Sequence, residues 1–281
     1  MSEQQRNSLV RACGQTHVAQ RVHNEDTFLI EESLGLMVVA DGVGGHLAGE
    51  VASKLTCEIL SREIAAGSTL LPAIRNANAE VFSAVERGHG KAGMASTVVA
   101  LHFDGPLYEL AWVGDSRAYL WDGSLGLLSL DHSYVESLVR SGQISIEEAR
   151  VHPRKNVIEQ AIGLQGYDNL KIGNNGGQLL SGQVLLLCSD GLNDALSSAQ
   201  IADVLAGEVP LPARCQHLVS AALEAGGRDN VTVVLLEAGP DLVAVEGAPE
   251  PEFVWRYDPV SAVYEGLPEL ASRLRNTALR C

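Results

Sequence analysis

The chain has 281 residues, 46% of them hydrophobic but only 5% aromatic, so it can bury a substantial core built mainly from aliphatic side chains. Its 35 acidic and 20 basic residues give a formal net charge of -15, which repels nucleic acid and anionic lipid and argues against both as partners. A phosphorylated substrate is repelled as well, so a phosphate site here needs local positive charge, which bound metal can supply.

Residues 1–15 are polar and carry no apolar leader core, and no run is long enough to span a membrane; a cytoplasmic chain is expected. Short apolar runs at residues 27–30 and 36–40 read as buried strands. Residues 46–66 turn helical, with Val51, Leu55, Ile59 and Arg62 at helical spacing and Gly67 as the stop. A second helix is expected over residues 71–86, with Ile74, Val81 and Val85 facing inward. Strands follow at 96–103, 108–113 and 118–121, the last closed by the hairpin signal Asp122-Gly123. Residues 132–150 are polar and helical, broken at Ser141-Gly142-Gln143. A strand at 184–188, helices at 198–205 and 213–225, and a strand at 231–236 complete the series.

Strands and helices come in blocks and do not alternate, which predicts an α+β chain of packed antiparallel sheets with helices outside. Composition shifts after Glu237, so residues 1–237 read as one domain. Residues 238–281 read as a linker and a disordered or loosely docked tail, with a short amphipathic helix over 267–279. The cysteines, Cys13, Cys57, Cys188, Cys215 and Cys281, are odd in number, widely spaced and without a C-x-x-C pair. They read as reduced structural thiols.

Apolar strands here repeatedly end in aspartate. Residues 38–40 lead into Asp41-Gly42, 112–114 into Asp115-Ser116, and 185–189 into Asp190-Gly191; Asp26 and Asp229 stand where strands begin. Singly, each is an ordinary turn residue. Together, if the strands pack, five carboxylates meet at one edge of the core, and they cannot all stay ionised without cations. Oxygen ligands without a His/Cys cluster point to Mg²⁺ or Mn²⁺ rather than zinc. Glycine at position 42 lets its carbonyl approach a metal. Glu25 and Asp26 point to opposite faces of a strand, so Asp26 is taken as the ligand and Glu25 as its support. Arg21 is the candidate phosphate clamp, because guanidinium binds phosphate through two parallel hydrogen bonds.

Six segments, in this order, resemble the metal-dependent protein phosphatases of type 2C in their bacterial form. They are Arg21-Val22-His23-Asn24-Glu25-Asp26, Ala40-Asp41-Gly42-Val43-Gly44-Gly45, Gly93-Met94-Ala95-Ser96-Thr97, Val113-Gly114-Asp115-Ser116-Arg117, Ser189-Asp190-Gly191-Leu192 and Gly227-Arg228-Asp229-Asn230-Val231-Thr232. The resemblance implies a four-layer α-β-β-α sandwich, two antiparallel sheets packed face to face and flanked by helices. It implies that Asp41, Asp190, Asp229 and the Gly42 carbonyl hold two Mn²⁺ or Mg²⁺ ions, with Asp26 acting nearby and Asp115 helping to hold a third. Arg21, Asp26 and Asp41 would be catalytic. Residues 131–163 resemble the flap of bacterial members. Where many eukaryotic relatives carry a histidine after Asp-Gly, this chain has Val43; His46 is the nearby alternative acid, and a metal-bound water is the simpler donor.

The reaction implied is hydrolysis of phosphoserine and phosphothreonine in proteins by a metal-bridged hydroxide, in a monomeric enzyme opposing a bacterial Ser/Thr kinase. No cysteine is followed six residues later by arginine, no Asp-x-Asp occurs, and no phosphate-binding loop of ATPase type is present. Two other readings remain. In one, Gly114-Asp115-Ser116 is an esterase motif with Ser116 as nucleophile, helped by a histidine. In the other, the chain is a non-catalytic module that binds phosphoproteins.

Overall fold

The computed structural model describes residues 9–44, 47–87, 93–164, 166, 169–258 and 263–265. Two antiparallel sheets form its centre. The first contains β2 (Asp26–Glu31), β3 (Leu36–Val43), β4 (Ala95–Ser96), β5 (Val98–Asp104), β6 (Leu107–Val113) and β9 (Gly173–Gln178). Its strands run in the order β2-β3-β5-β6-β9, with β4 paired to β3. The second contains β1 (Val10–His17), β7 (Arg117–Trp121), β8 (Leu125–Leu127), β10 (Val184–Cys188), β11 (Val231–Ala238), β12 (Trp255–Asp258) and β13 (Val263–Glu265). Its order is β1-β11-β10-β7-β8-β12-β13.

Alternation along each strand feeds two cores at once. In β3, Leu36, Val38 and Ala40 face helices α1 (Leu47–Ala65) and α2 (Leu70–Glu86), while Met37 and Val39 face the other sheet. In β10, Leu185 and Leu187 enter the core between the sheets. Val184, Leu186 and Cys188 pack instead against helices α5 (Asp190–Ala195), α6 (Ser198–Leu205) and α7 (Leu211–Glu224). Burial on both faces explains why these antiparallel strands read as unbroken apolar runs. The layers are therefore helix, sheet, sheet, helix, as the sequence predicts.

Helices α3 (Tyr134–Arg140) and α4 (Ile146–Arg150) lie within residues 131–163. Ser133 and Ser145 cap them through hydrogen bonds from the backbone N–H groups of Glu136 and Glu148. The break between them falls at Ser141-Gly142-Gln143, where the sequence places it.

Three expectations need correction, and α1 carries a constraint besides: Val51 is 40% exposed, and the buried face of the helix holds Ala48, Ala52, Ile59 and Leu60. The helix starts so close to β3 that a Cβ on Gly42 would strike the Gly49 carbonyl, and one on Gly49 would strike Gly42. Only small side chains fit the start of that face. The thiols are not all reduced: Cys13 on β1 and Cys215 on α7 form a disulfide, while Cys57 and Cys188 are free and buried. Those two elements pack together across a separation of 202 residues, a proximity no local spacing reveals. The segment after Glu237 is not simply a linker and loose tail. Asn175 accepts from the Glu252 N–H at 2.9 Å and donates to the Phe253 carbonyl at 2.9 Å, and β12 pairs with β8. The helix expected over 267–279 lies outside the described residues. Finally, β1 and β9 are strands that the sequence reading did not include.

Candidate metal centre and phosphate site

The aspartates of both sheets come together at one end of the sandwich. Asp26 opens β2 and stands opposite Asp41 near the end of β3, in register. Asp190 is the first residue of α5, directly after β10, and Asp229 stands two residues before β11. Asp115 lies in the turn from β6 to β7. Gly191 has to be small, because a Cβ there would run into the Asn230 carbonyl. That close approach seats the start of α5 against the strand that follows Asp229.

Asp26 is 7% exposed and bridges the sheets. Its Oδ2 accepts from Ser189 Oγ at 2.7 Å and from Thr232 Oγ1 at 2.6 Å, both on the second sheet's side. Its Oδ1 is buried without a partner, as are Asp190 Oδ1 and Glu25 Oε1. Burial pushes the Asp26 carboxyl up to about 6, offset in part by the two hydroxyl donors. Asp41 and Asp190 are raised well above the usual carboxylate range, first by burial and then by neighbouring carboxylates. For Asp41 those neighbours are Asp26, Asp190, Asp115 and Asp229; for Asp190 they are Asp115, Asp229, Asp194 and Asp26. Asp115, 9% exposed, is pushed up to about 7 by burial and by Asp131.

Mutually repelling carboxylates with buried, unpartnered oxygens form a hard oxygen donor set, so the residues present fit divalent cations. Among the described residues, no three His, Cys, Asp or Glu side chains already close around one point at ligand spacing. The fit therefore rests on donor chemistry and electrostatics.

Arg21 sits in the turn after β1. Its Nη2 donates to Asp229 Oδ2 at 2.6 Å, while the side chain stays 57% exposed. The turn is held by Asn230, a residue to which the sequence reading gave no role. Its Oδ1 accepts from the Glu25 N–H at 2.8 Å, and its Nδ2 donates to the carbonyls of Val18 at 3.0 Å and His23 at 3.1 Å. Glu25 holds the other side through its carbonyl, which accepts from Gly42 N–H at 3.1 Å and Ser53 Oγ at 2.6 Å. Its expected supporting role is thus carried by the backbone. Gly42 packs directly beside this segment, but His46 lies outside the described residues.

The esterase reading fails on geometry. Ser116 is 1% exposed, and its hydroxyl pairs with Thr97 Oγ1 at 2.7 Å, not with a histidine. Arg117, next in sequence, is bound bidentately by Asp131 at 2.8 and 2.7 Å, which anchors the start of residues 131–163 to β7.

A family model described as Protein phosphatase 2C matches residues 13–224. The chain is 35% identical over 231 residues to the serine/threonine phosphatase stp of Listeria welshimeri, covering 77% of this chain and 91% of that one. It superposes on the Streptococcus agalactiae serine/threonine phosphatase with a TM-score of 0.75 at 35% identity, covering 82% of this chain and 99% of that one. It superposes also on the catalytic domain of the serine/threonine protein phosphatase PstP in complex with two manganese ions. There the TM-score is 0.72 at 33% identity, covering 82% of this chain and 99% of that one.

Proposed function

This chain belongs to the protein phosphatase 2C family, and from that premise we propose that it hydrolyses phosphoserine and phosphothreonine in proteins at the carboxylate cluster. The observation that carries the reading is the meeting of Asp26 and Asp41 from one sheet with Asp190 and Asp229 from the other, beside the exposed guanidinium of Arg21. Asp41, Asp190, Asp229, Asp26 and the Gly42 carbonyl are the groups that would hold two divalent ions, and Asp115 is the group that would help to hold a third. Manganese fits the oxygen donors and is the metal named for the PstP relative; magnesium fits equally on donor chemistry. Such ions, when bound, activate water and offset charge on the phosphoryl group.

The chain's own residues do the rest. Arg21 gives one of its five N–H donors to Asp229 and keeps others for phosphoryl oxygens, drawing an anion toward a surface that otherwise repels it. Asp26 is held in position by its Oδ2, which accepts from Ser189 and Thr232, and this leaves Oδ1 as the oxygen that can serve the site. Thr97 supports Asp41 by donating its N–H to the Asp41 carbonyl at 2.8 Å, while its hydroxyl accepts from the Asp41 N–H at 3.2 Å.

The reading extends to a monomer acting in the cytoplasm against a Ser/Thr kinase, with residues 131–163 as a flap beside the site. No helix among the described residues is long and apolar enough to cross a membrane. The test is p-nitrophenyl phosphate hydrolysis with Mn²⁺ or EDTA, for the native chain and Asp190→Asn. Activity that needs Mn²⁺ and collapses in the variant supports the reading. Activity in EDTA that the substitution leaves intact overturns the metal assignment.

A further inference from the structure

A cavity of about 350 Å³ opens beside the carboxylate cluster, between the flap helices and α5. It shares Asp115 and Asp190 with the candidate metal centre, and its walls mix apolar Val135 and Val139 and the amides of Asn156 and Asn193 with charged side chains of both signs. Trp255, the first residue of β12, also lines it and is only 2% exposed. This tryptophan lies outside the segment matched by the family model, which ends at residue 224.

A run of aromatic contacts locks Trp255 to the site. Its ring stacks on Phe253 with centroids 4.8 Å apart, and Phe253 meets Trp112 edge-on at 6.2 Å. Trp112 stacks on His132 at 6.3 Å. The His132 N–H donates to the Gly114 carbonyl at 2.8 Å, and His132 Nδ1 accepts from the Gly114 N–H at 3.3 Å. Gly114 directly precedes Asp115. The C-terminal strand thus reaches both the cavity and the turn that presents Asp115.

We propose that residues 251–258 shape a substrate subsite: the cavity takes the polypeptide flanking the phosphorylated residue, and Trp255 sets its depth and hence which phosphoproteins fit. The proposal rests on the phosphatase reading. Continuity assigns the occupant, since a chain delivering a phosphoryl group to Asp190 and Asp229 passes over a cavity that shares Asp190. The five carboxylates of the lining outnumber its three cations, which disfavours a small anion, while amides and apolar side chains beside them suit a polypeptide.

The experiment compares the native chain with Trp255→Leu, Trp255→Phe and Phe253→Leu, on a phosphothreonine peptide and on p-nitrophenyl phosphate, which has no flanking chain. For Trp255→Leu, the expected result is a rise of about tenfold in KM for the peptide, equivalent to about 1.4 kcal/mol. Peptide kcat and all p-nitrophenyl phosphate kinetics should stay within about twofold of native. Trp255→Phe should restore most of the loss, and Phe253→Leu should show the same split as Trp255→Leu. Parallel losses on both substrates would mean that the strand only supports the fold, and unchanged kinetics on both would empty the cavity of its role; either overturns the proposal. A native chain that cleaves neither substrate overturns the phosphatase reading instead, which is a separate result.

Discussion

Asn230 offers the sharpest test of how the site is held together. It is 5% exposed, and its side chain makes three hydrogen bonds, to the Glu25 N–H and to the carbonyls of Val18 and His23. Asn230→Ala deletes all three and strands their partners. At about 1 kcal/mol for each bond, the loss is about 3 kcal/mol, and more where a partner stays buried and dry. Asn230→Asp keeps the acceptor for Glu25 but loses both donors, and it sets a carboxylate against two carbonyl oxygens beside Asp229. It should therefore cost at least as much as alanine. Stability would be read from urea denaturation in EDTA, so that metal binding does not contribute. The same variants should lose Mn²⁺-dependent hydrolysis, because residues 18–25 carry Arg21 and lead into Asp26. A loss below about 1 kcal/mol for alanine, or full stability in the aspartate variant, would refute the role given to this residue.

The raised carboxylates predict a pH dependence. A folded-state pKa above the unfolded value means that the native state binds more protons, so metal-free stability rises as pH falls from about 8 towards 4. For Asp26, moving from 3.8 to about 6, the effect is on the order of 3 kcal/mol. Thermal midpoints in EDTA across that range should rise on acidification, and Asp26→Asn should flatten the slope; a midpoint independent of pH would count against mutual repulsion. Arg21→Ala should raise KM for a phosphopeptide by about tenfold. It should change stability by less than about 1 kcal/mol, since its ion pair with Asp229 is largely exposed; steady-state kinetics with a melt checks both. Gly49→Ala should cost about 2 kcal/mol or more, because the added methyl meets the Gly42 backbone. A denaturation curve matching the native one would show that helix α1 can shift away freely.

Much of this was legible because packing writes itself into local pattern. Strands β3, β10 and β11 are buried on both faces, so they stand out as apolar runs, and the aspartates at their ends are conspicuous against them. Strand β9 reads Gly-Asn-Asn-Gly-Gly-Gln, a turn by composition, and forms only because β6 offers it a ladder. Strand β1 buries only Val10 and takes its register from β11. Helical spacing alone did not reveal which face of α1 is buried: the close contact between Gly42 and Gly49 leaves room for Ala48 and Ala52 at its start, and Val51 stays exposed. At the site the carboxylates could be found along the chain. Their holders could not: Ser189, Thr232 and Asn230 act across separations of 163, 206 and 205 residues.

The division of the carboxylates between the two sheets has a mechanical side. Asp26 and Asp41 belong to one sheet, Asp190 and Asp229 flank strands of the other, and the hydrogen bonds from Ser189 and Thr232 to Asp26 cross the seam at that end. The core between the sheets is aliphatic and aromatic packing, whose hydrophobic attraction is non-directional. A cation drawing ligands from both sides would act as a rivet between the two sheets. Hydrogen exchange along β3 and β10 should then slow together on adding Mn²⁺, while the outer helices change little. On this view the metal is as much a fastener of the sandwich as a reagent within it.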